Sequence, residues 1–485
     1  MISSRIFAAF LPIFIIAVSK EYRKMTCLSM ESILQRWGRR EDQNAIPAES
    51  SYNPKEMDIS MNKKLIPTKQ QLDFMDWEFG AFFHFGIRSF FPGYRDWDER
   101  KMPLQAFCPD QLDCRQWIQT VKDAGAQYAI LVCKHHDGFA NWPSAYTPYS
   151  VAKTPWKDGK GDVVQEFVDA CREFDIKIGL YYSPAQQEGA VPFKDGREYD
   201  DYFIHQIGEL LTNYGKIDYL WFDGCGSEHH AYDQERIIHA IRSMQPEILI
   251  FNLWDPDTRW IGNEYGYAPM LNCNIIQGVD FSVNTTEKET LEQKRFLPAE
   301  CDFRMRSTWF DCVDNEETIK DVDELMGIYE MSVGRGANFL INIGPDRHGL
   351  LPKKDVERLR EFGDRLRQRY GNPLVAFGLM QHEEDDCWSI AVPGFYSDDS
   401  PSPPVLVNRV ILMEDLSCGE AIREFTLYAH LSDSTRQKIC LYRGQTIGHK
   451  CICIFPTIRT GRIYVKINEK TGTVKLRSMQ AYYEE

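Results

Sequence analysis

The sequence predicts an α/β protein: a (β/α)8 TIM-like barrel over residues 66–372, followed by a C-terminal β-sandwich over 373–485. Three observations predict it. From residue 66, short apolar runs alternate with amphipathic segments over about 300 residues, the pattern of parallel strands joined by crossover helices. Polar and aromatic residues gather at the C-terminal ends of those runs, where a barrel builds its site. Beyond the Pro/Ser-rich stretch Ser397–Pro404, only turn-separated β-like runs remain.

The elements follow in chain order. Strands are expected at Phe79–Phe85, Tyr128–Cys133, Ile176–Tyr182, Ile217–Phe222, Ile248–Asn252 and Asn338–Ile343, all short and apolar. Between them, Leu112–Ala124, Val163–Phe174, Tyr202–Tyr214 and Asp233–Met244 carry apolar residues at i, i+3/i+4 spacing and are expected to be helices. The helical pattern Lys354–Tyr370 closes the barrel. A doubly wound open sheet is the structural alternative, but no Gly-rich phosphate fingerprint supports it. The runs Val405–Met413, Glu424–Ala429, Lys438–Tyr442, Cys451–Phe455, Ile463–Ile467 and Val474–Leu476 lack helical periodicity and predict the sandwich.

Composition sets limits on function. The 485 residues are 43% hydrophobic and 26% charged, enough for a large core in more than one domain. The net charge of −15 argues against nucleic acid, whose phosphates need a basic surface. The 11 Trp and 23 Tyr suit stacking on the apolar faces of sugar rings, and equally suit an ordinary large core. The 14 Cys show neither CxxC pairs nor zinc-ligand spacing, and are read as mostly free, buried thiols. Residues 1–19 have an early Arg5, an apolar stretch and small residues near the end, the anatomy of a secretory signal. Cleavage would make the protein secreted or extracytoplasmic. An uncleaved anchor, or a later start at Met25, Met30, Met57 or Met61 giving a cytoplasmic protein, stays open. Residues 20–65 read as a polar lead.

Several strand ends carry chemistry. His84 ends the first run, Lys134-His135-His136-Asp137 follow the second, Tyr181 and Tyr182 close the third, and Trp221-Phe222-Asp223-Gly224 close the fourth. An acid that ends a core strand between Trp and Gly is placed to do work, although a helix cap is its plain alternative. Adjacent His135 and His136 can hold metal, but neighbours on a strand point to opposite faces while ligands must converge. No metal is therefore expected, and hydrogen bonds from imidazoles to sugar hydroxyls fit better.

Five blocks in order and at consistent spacing resemble glycoside hydrolase family 29, the α-L-fucosidases: Ala81–Gly86 (AFFHFG), Ala124–Ala129 (AGAQYA), Lys134–Phe139 (KHHDGF), Asn141–Ser144 (NWPS) and Leu220–Gly224 (LWFDG). The match covers residues 66–370, and Phe85 replaces a Trp common at its position. The resemblance implies a retaining exo-α-L-fucosidase that forms a covalent fucosyl-enzyme intermediate on Asp223, takes a fucosylated oligosaccharide or glycoconjugate, and needs no cofactor. It also implies that His84, His135 and His136 hold fucose hydroxyls, that Tyr182 and Trp221 form the pocket wall, and that Trp97 adds a sugar contact.

The acid/base is open between two glutamates. The two carboxyls of a retaining enzyme lie roughly 5–5.5 Å apart, which sequence distance does not constrain. Glu264 in Arg259–Glu264 (RWIGNE) and Glu300 in Leu297–Asp302 (LPAECD) both resemble the subgroup preferring branched α1,3/1,4-linked fucose. There the GNE-type glutamate is the acid/base, so Glu264 is the first choice and Glu300 the second; the other is expected to bind sugar or orient the pocket. The competing readings are a catalytically inactive fucose-binding protein, another exo-glycosidase of the same fold, and a metal-dependent barrel hydrolase.

Overall fold

The computed structural model describes residues 65–485 apart from 92, 94–99, 187–192, 229, 287, 313, 376–378, 394–404 and 431–436. The expected signal at 1–19, all but the last residue of the lead at 20–65, and Trp97 lie outside the described residues.

The first helix, α1 (Lys69–Trp77), opens on a capping box in which Thr68 and Gln71 satisfy each other's backbone N–H groups. It is followed by ten strands: β1 (Phe79–Phe83), β2 (Tyr128–Lys134), β3 (Lys177–Tyr182), β4 (Tyr219–Phe222), β5 (Leu249–Phe251), β6 (Arg259–Trp260), β7 (Ile275–Asp280), β8 (Lys288–Phe296), β9 (Ala299–Arg304) and β10 (Asn338–Ile343). Eight of them form one parallel sheet in the order β5-β4-β3-β2-β1-β10-β9-β6. Its two edges meet. Phe251 of β5 pairs in parallel with Thr258, and the Asn252 N–H donates to the Thr258 carbonyl at 3.0 Å. The sheet is therefore a barrel.

Period-two alternation sorts each strand into two faces. Outward residues such as Phe83, Leu131, Leu180, Phe222 and Phe339 pack against the helices. Inward residues such as Phe82, Tyr128, Tyr181, Tyr219, Trp221 and Leu340 fill the barrel, and Phe74 and Met75 of α1 close its N-terminal end. The surrounding helices are α2 (Cys114–Ala124), α3 (Val163–Glu173), α4 (Gly196–Asn213), α5 (Gln234–Met244), α6 (Val322–Ser332) and α7 (Lys353–Tyr370). Five of them start on the same device, an aspartate whose side chain accepts from the third helical N–H: Asp113, Asp162, Asp195, Asp233 and Asp321. Asp195 moves the start of α4 to Gly196, six residues before the apolar periodicity begins at Tyr202.

The barrel departs from eight regular βα units between β5 and β9. Among the described residues no helix joins β5 to β6, and the antiparallel hairpin β7–β8 stands where the next helix would be. Strands β6 and β9 and helix α6 were not foreseen from the sequence. After α7 come β11 (Gln381–His382), β12 (Cys387–Ala391), β13 (Leu406–Glu414), β14 (Ile422–His430), β15 (Lys438–Gly444), β16 (Cys451–Arg459), β17 (Arg462–Lys470) and β18 (Leu476–Tyr482). They form antiparallel sheets of five and three strands around a shared apolar core that includes Trp388, Val410, Phe425 and Val465. This is the C-terminal β-sandwich. The thirteen described cysteines are free thiols.

Candidate active site

The C-terminal ends of the barrel strands surround a pocket of about 300 Å³. Phe82, Tyr181, Trp221, Phe251, Trp260 and Trp309 supply its apolar and aromatic lining. His84, His135, His136, Asp223, Glu264, Asp302 and Arg304 supply its polar groups.

Asp223 follows the last residue of β4, and inward alternation carries its carboxylate to the pocket. Oδ1 accepts from the Cys225 N–H at 2.8 Å and Oδ2 from the Tyr181 hydroxyl at 2.8 Å. His136 Nε2 lies 3.5 Å from Oδ2. Burial raises the Asp223 carboxyl to about 6; the two donors pull it down, and the charges of Glu264 and Glu228 push it up.

The three histidines present complementary groups. Asn342 donates through Nδ2 to the Trp309 carbonyl at 2.8 Å, which orients its amide and makes Oδ1 the acceptor for His84 Nδ1 at 2.6 Å. His84, held neutral by burial at about 3, therefore keeps a lone pair on Nε2. Arg88 donates to His135 Nδ1 at 3.1 Å, so the neutral His135 ring carries its proton on Nε2. The Ser183 hydroxyl donates to the Ala185 carbonyl at 2.9 Å and accepts from His136 Nδ1 at 2.6 Å. One acceptor imidazole beside one donor imidazole is what a pair of sugar hydroxyls requires.

His135 and His136 do not point to opposite faces as expected. Both follow the end of β2, where the chain turns through Gly138 (φ 80°), and their rings sit 4.2 Å apart in the same pocket. Among the described residues no group of three or more His, Cys, Asp or Glu side chains converges as a metal site.

Tyr182 is not in the pocket wall. It points outward from β3, where its hydroxyl donates to Gln206 of α4 at 2.7 Å and Lys134 lies over its ring. Its neighbour Tyr181 occupies the wall instead, because adjacent strand residues face opposite ways. Trp221 does line the pocket, stacked on Phe251 at 4.1 Å and 11°.

The two glutamates part company. Glu264, past β6, lines the pocket with Arg304 3.8 Å from its carboxylate. Burial raises its carboxyl, and Arg304 opposes the rise. Glu300 is fully buried inside the barrel beneath the pocket. It accepts from the hydroxyls of Tyr128 (2.6 Å) and Tyr219 (3.2 Å) and from the Trp221 indole N–H (2.8 Å). It is not among the pocket-lining residues, which speaks against it as the second candidate for the acid.

Sequence reasoning missed Asp302 and Arg304. Asp302 accepts from the Trp260 indole at 2.7 Å, and burial together with Glu264 raises its carboxyl far above the usual range. A signal was available. In Ala299–Arg304, Glu300, Asp302 and Arg304 alternate with Cys301 and Phe303, which reads as a strand with a polar inward face. A second cleft of about 960 Å³, lined by Glu228, His230, Tyr232, Trp254 and Lys288, adjoins the pocket through Phe281 and Asn284, which border both.

A barrel with carboxylates, neutral imidazoles and aromatic walls at its C-terminal mouth defines the class of barrel glycoside hydrolases. The family model described as Alpha-L-fucosidase matches residues 42–371. The chain is 35% identical over 318 residues to "Alpha-L-fucosidase 1" of Arabidopsis thaliana, covering 64% of this chain and 62% of that protein. It thus spans somewhat less than two thirds of that relative's length. It is also 35% identical over 423 residues to a relative in Oryza sativa subsp. japonica, covering 81% of this chain and 80% of that one. A crystal structure of a glycoside hydrolase 29 family member from an unknown rumen bacterium superposes with a TM-score of 0.74 at 30% identity, covering 86% of this chain and 77% of that one. The chain belongs to the alpha-L-fucosidase family, glycoside hydrolase family 29.

Proposed function

We propose that this protein is a retaining exo-α-L-fucosidase that removes terminal fucose from oligosaccharides or glycoconjugates by double displacement. The observation that carries the reading is the pairing of Asp223 and Glu264 on one pocket of about 300 Å³, with Asp223 clamped by two donors and Glu264 beside Arg304.

Each group has a role. Asp223, near 6, is ionised at neutral pH and attacks the anomeric carbon. Glu264 protonates the leaving oxygen as the glycosidic bond breaks, which leaves fucose esterified to Asp223. Glu264, now a carboxylate, takes a proton from water, whose oxygen attacks the anomeric carbon and frees Asp223. His84 and His135 accept from and donate to fucose hydroxyls. Trp221, Phe251 and Trp309 meet the apolar face and the C5 methyl. The adjoining cleft past Phe281 and Asn284 takes the aglycone. Neither displacement draws on a metal or cofactor.

Fucose release from a panel tests this: a nitrophenyl α-L-fucoside, a 2′-fucosyl glycan and branched Lewis-type trisaccharides. Release abolished by Asp223→Ala supports the reading, and preference for the branched glycans adds the subgroup. No release from any member by folded protein overturns it. Release of galactose rather than fucose from matching galactosides supports a related exo-glycosidase.

A further inference from the structure

We propose that Glu300 is a positioning residue that sets the nucleophile's environment through Trp221 and Tyr181. The inference rests on Asp223 being the nucleophile.

Glu300 has no pocket access and no cation beside it among its bonded partners. Its partners are three donors converging from two strands: Tyr128 of β2, and Tyr219 and Trp221 of β4. A buried carboxylate is costly unless every lone pair is used. Packing alone would be served better by an apolar side chain, so a carboxyl group at this position points to its directional bonds. The barrel is shaped to accommodate them. A Cβ on Gly80 would lie 2.2 Å from the Tyr128 ring, so the absence of a side chain there lets the phenol reach Glu300. Tyr219 is itself held by Thr258 at 2.8 Å, at the seam where β5 meets β6.

The consequence reaches the nucleophile through three contacts. Glu300 accepts the only hydrogen that the Trp221 indole can donate, which fixes that ring between Phe251 (4.1 Å) and Tyr181 (5.4 Å, 24°). Tyr181, stacked on that indole, donates to Asp223 Oδ2. Without the anchor the indole is free to tilt, the Tyr181 ring follows, and Asp223 loses one of its two donors. Loss of a donor to a carboxylate raises its pKa.

Three variants test it on an activated aryl α-L-fucoside: Glu300→Gln, Glu300→Leu and Trp221→Phe. Glutamine keeps one acceptor for the indole, and the Tyr128 hydroxyl can turn to accept from its amide. Glu300→Gln is therefore expected to hold kcat to within about threefold of the wild type. Glu300→Leu and Trp221→Phe are each expected to lower kcat about tenfold or more. Both should move the acid limb of kcat/KM upward by roughly one unit, the scale of one hydrogen bond lost to a carboxylate. Their double variant should be no slower than the slower single. Glu300→Leu that folds with wild-type kcat and an unmoved acid limb overturns the inference, as does inactivity of Glu300→Gln with azide rescue of Glu300→Ala. If the wild type releases no fucose, the functional reading fails by itself. A crystal structure of Glu300→Leu then decides: the inference requires the Tyr181–Asp223 bond to open, and an unchanged 2.8 Å contact refutes it.

Discussion

At the scale of single residues, the site depends on what burial does to carboxyls. Asp223 sits about two units above its ordinary 3.8, which corresponds to roughly 3 kcal/mol against the ionised native state. The sign is definite. Above about pH 6 the native protein carries the buried charge at a cost; between about 6 and 4 it binds a proton that the unfolded chain does not, and gains stability; below that both states are protonated. Asp223→Asn should therefore be inactive yet melt a few degrees higher than the wild type at pH 7.5, with the gap closing as pH falls toward 4. Differential scanning calorimetry across that range checks it. Glu264→Ala should lose about 10²-fold or more in kcat/KM on a natural fucoside, far less on an aryl fucoside with a good leaving group, and regain turnover with azide, which stands in for the missing base. Glu300→Ala should show no azide effect, because its carboxylate lies beneath the pocket floor.

At the scale of elements, strand alternation decides which of two neighbours matters. On β3, Tyr181 and Tyr182 are chemically identical and face opposite sides of the barrel wall. Tyr181→Phe should slow kcat and raise the acid limb, since Asp223 loses a donor. Tyr182→Phe should leave the pH–rate profile in place and cost about 1 kcal/mol of stability, the price of its bond to Gln206. Gly80 on β1 is sensitive for a third reason: a methyl there collides with Tyr128. Gly80→Ala should destabilise the protein by about 1–3 kcal/mol through overpacking, read from urea unfolding followed by tryptophan fluorescence.

At the scale of the whole molecule, the barrel and the sandwich are joined by a half-buried ionic cluster. Glu78, between α1 and β1, meets Lys450 and His449 at the start of β16, and accepts from Tyr329 at 3.3 Å. The Ile452 N–H reinforces the join by donating to the Gly334 carbonyl at 3.0 Å. Burial alone would raise the Glu78 carboxyl, but Lys450 and His449 outweigh it and hold it at about 2. A depressed carboxyl stabilises the native state above the unfolded value near 4.5, and that contribution drains away as pH falls toward 2. Lys450→Met should cost about 3 kcal/mol at pH 7 by leaving Glu78 partly unpaired. Much of that penalty should vanish near pH 3. Acid unfolding curves of both proteins test this, and an equal loss at both pH values would point to packing rather than charge.

The sequence by itself determined the barrel, the sandwich and the identity of most of the polar pocket groups. Short continuous apolar runs and amphipathic runs of period 3.6 are local properties, so β1 to β5, β10 and most helices could be read directly. The ends of those strands carry His84, His135, His136, Trp221 and Asp223, and a barrel brings such ends to one mouth. Between β5 and β9 the reading ran out, because β6 is two residues long and a hairpin replaces a helix, so neither pattern has room to develop. Tertiary structure alone decided the facing of Tyr181 against Tyr182, which turns on a one-residue register that the two identical side chains cannot reveal. It decided too that Glu264 lies on the pocket and Glu300 under it. Depth in a barrel depends on how far each strand is staggered against its neighbours, and that stagger is set by pairing between strands far apart in the chain.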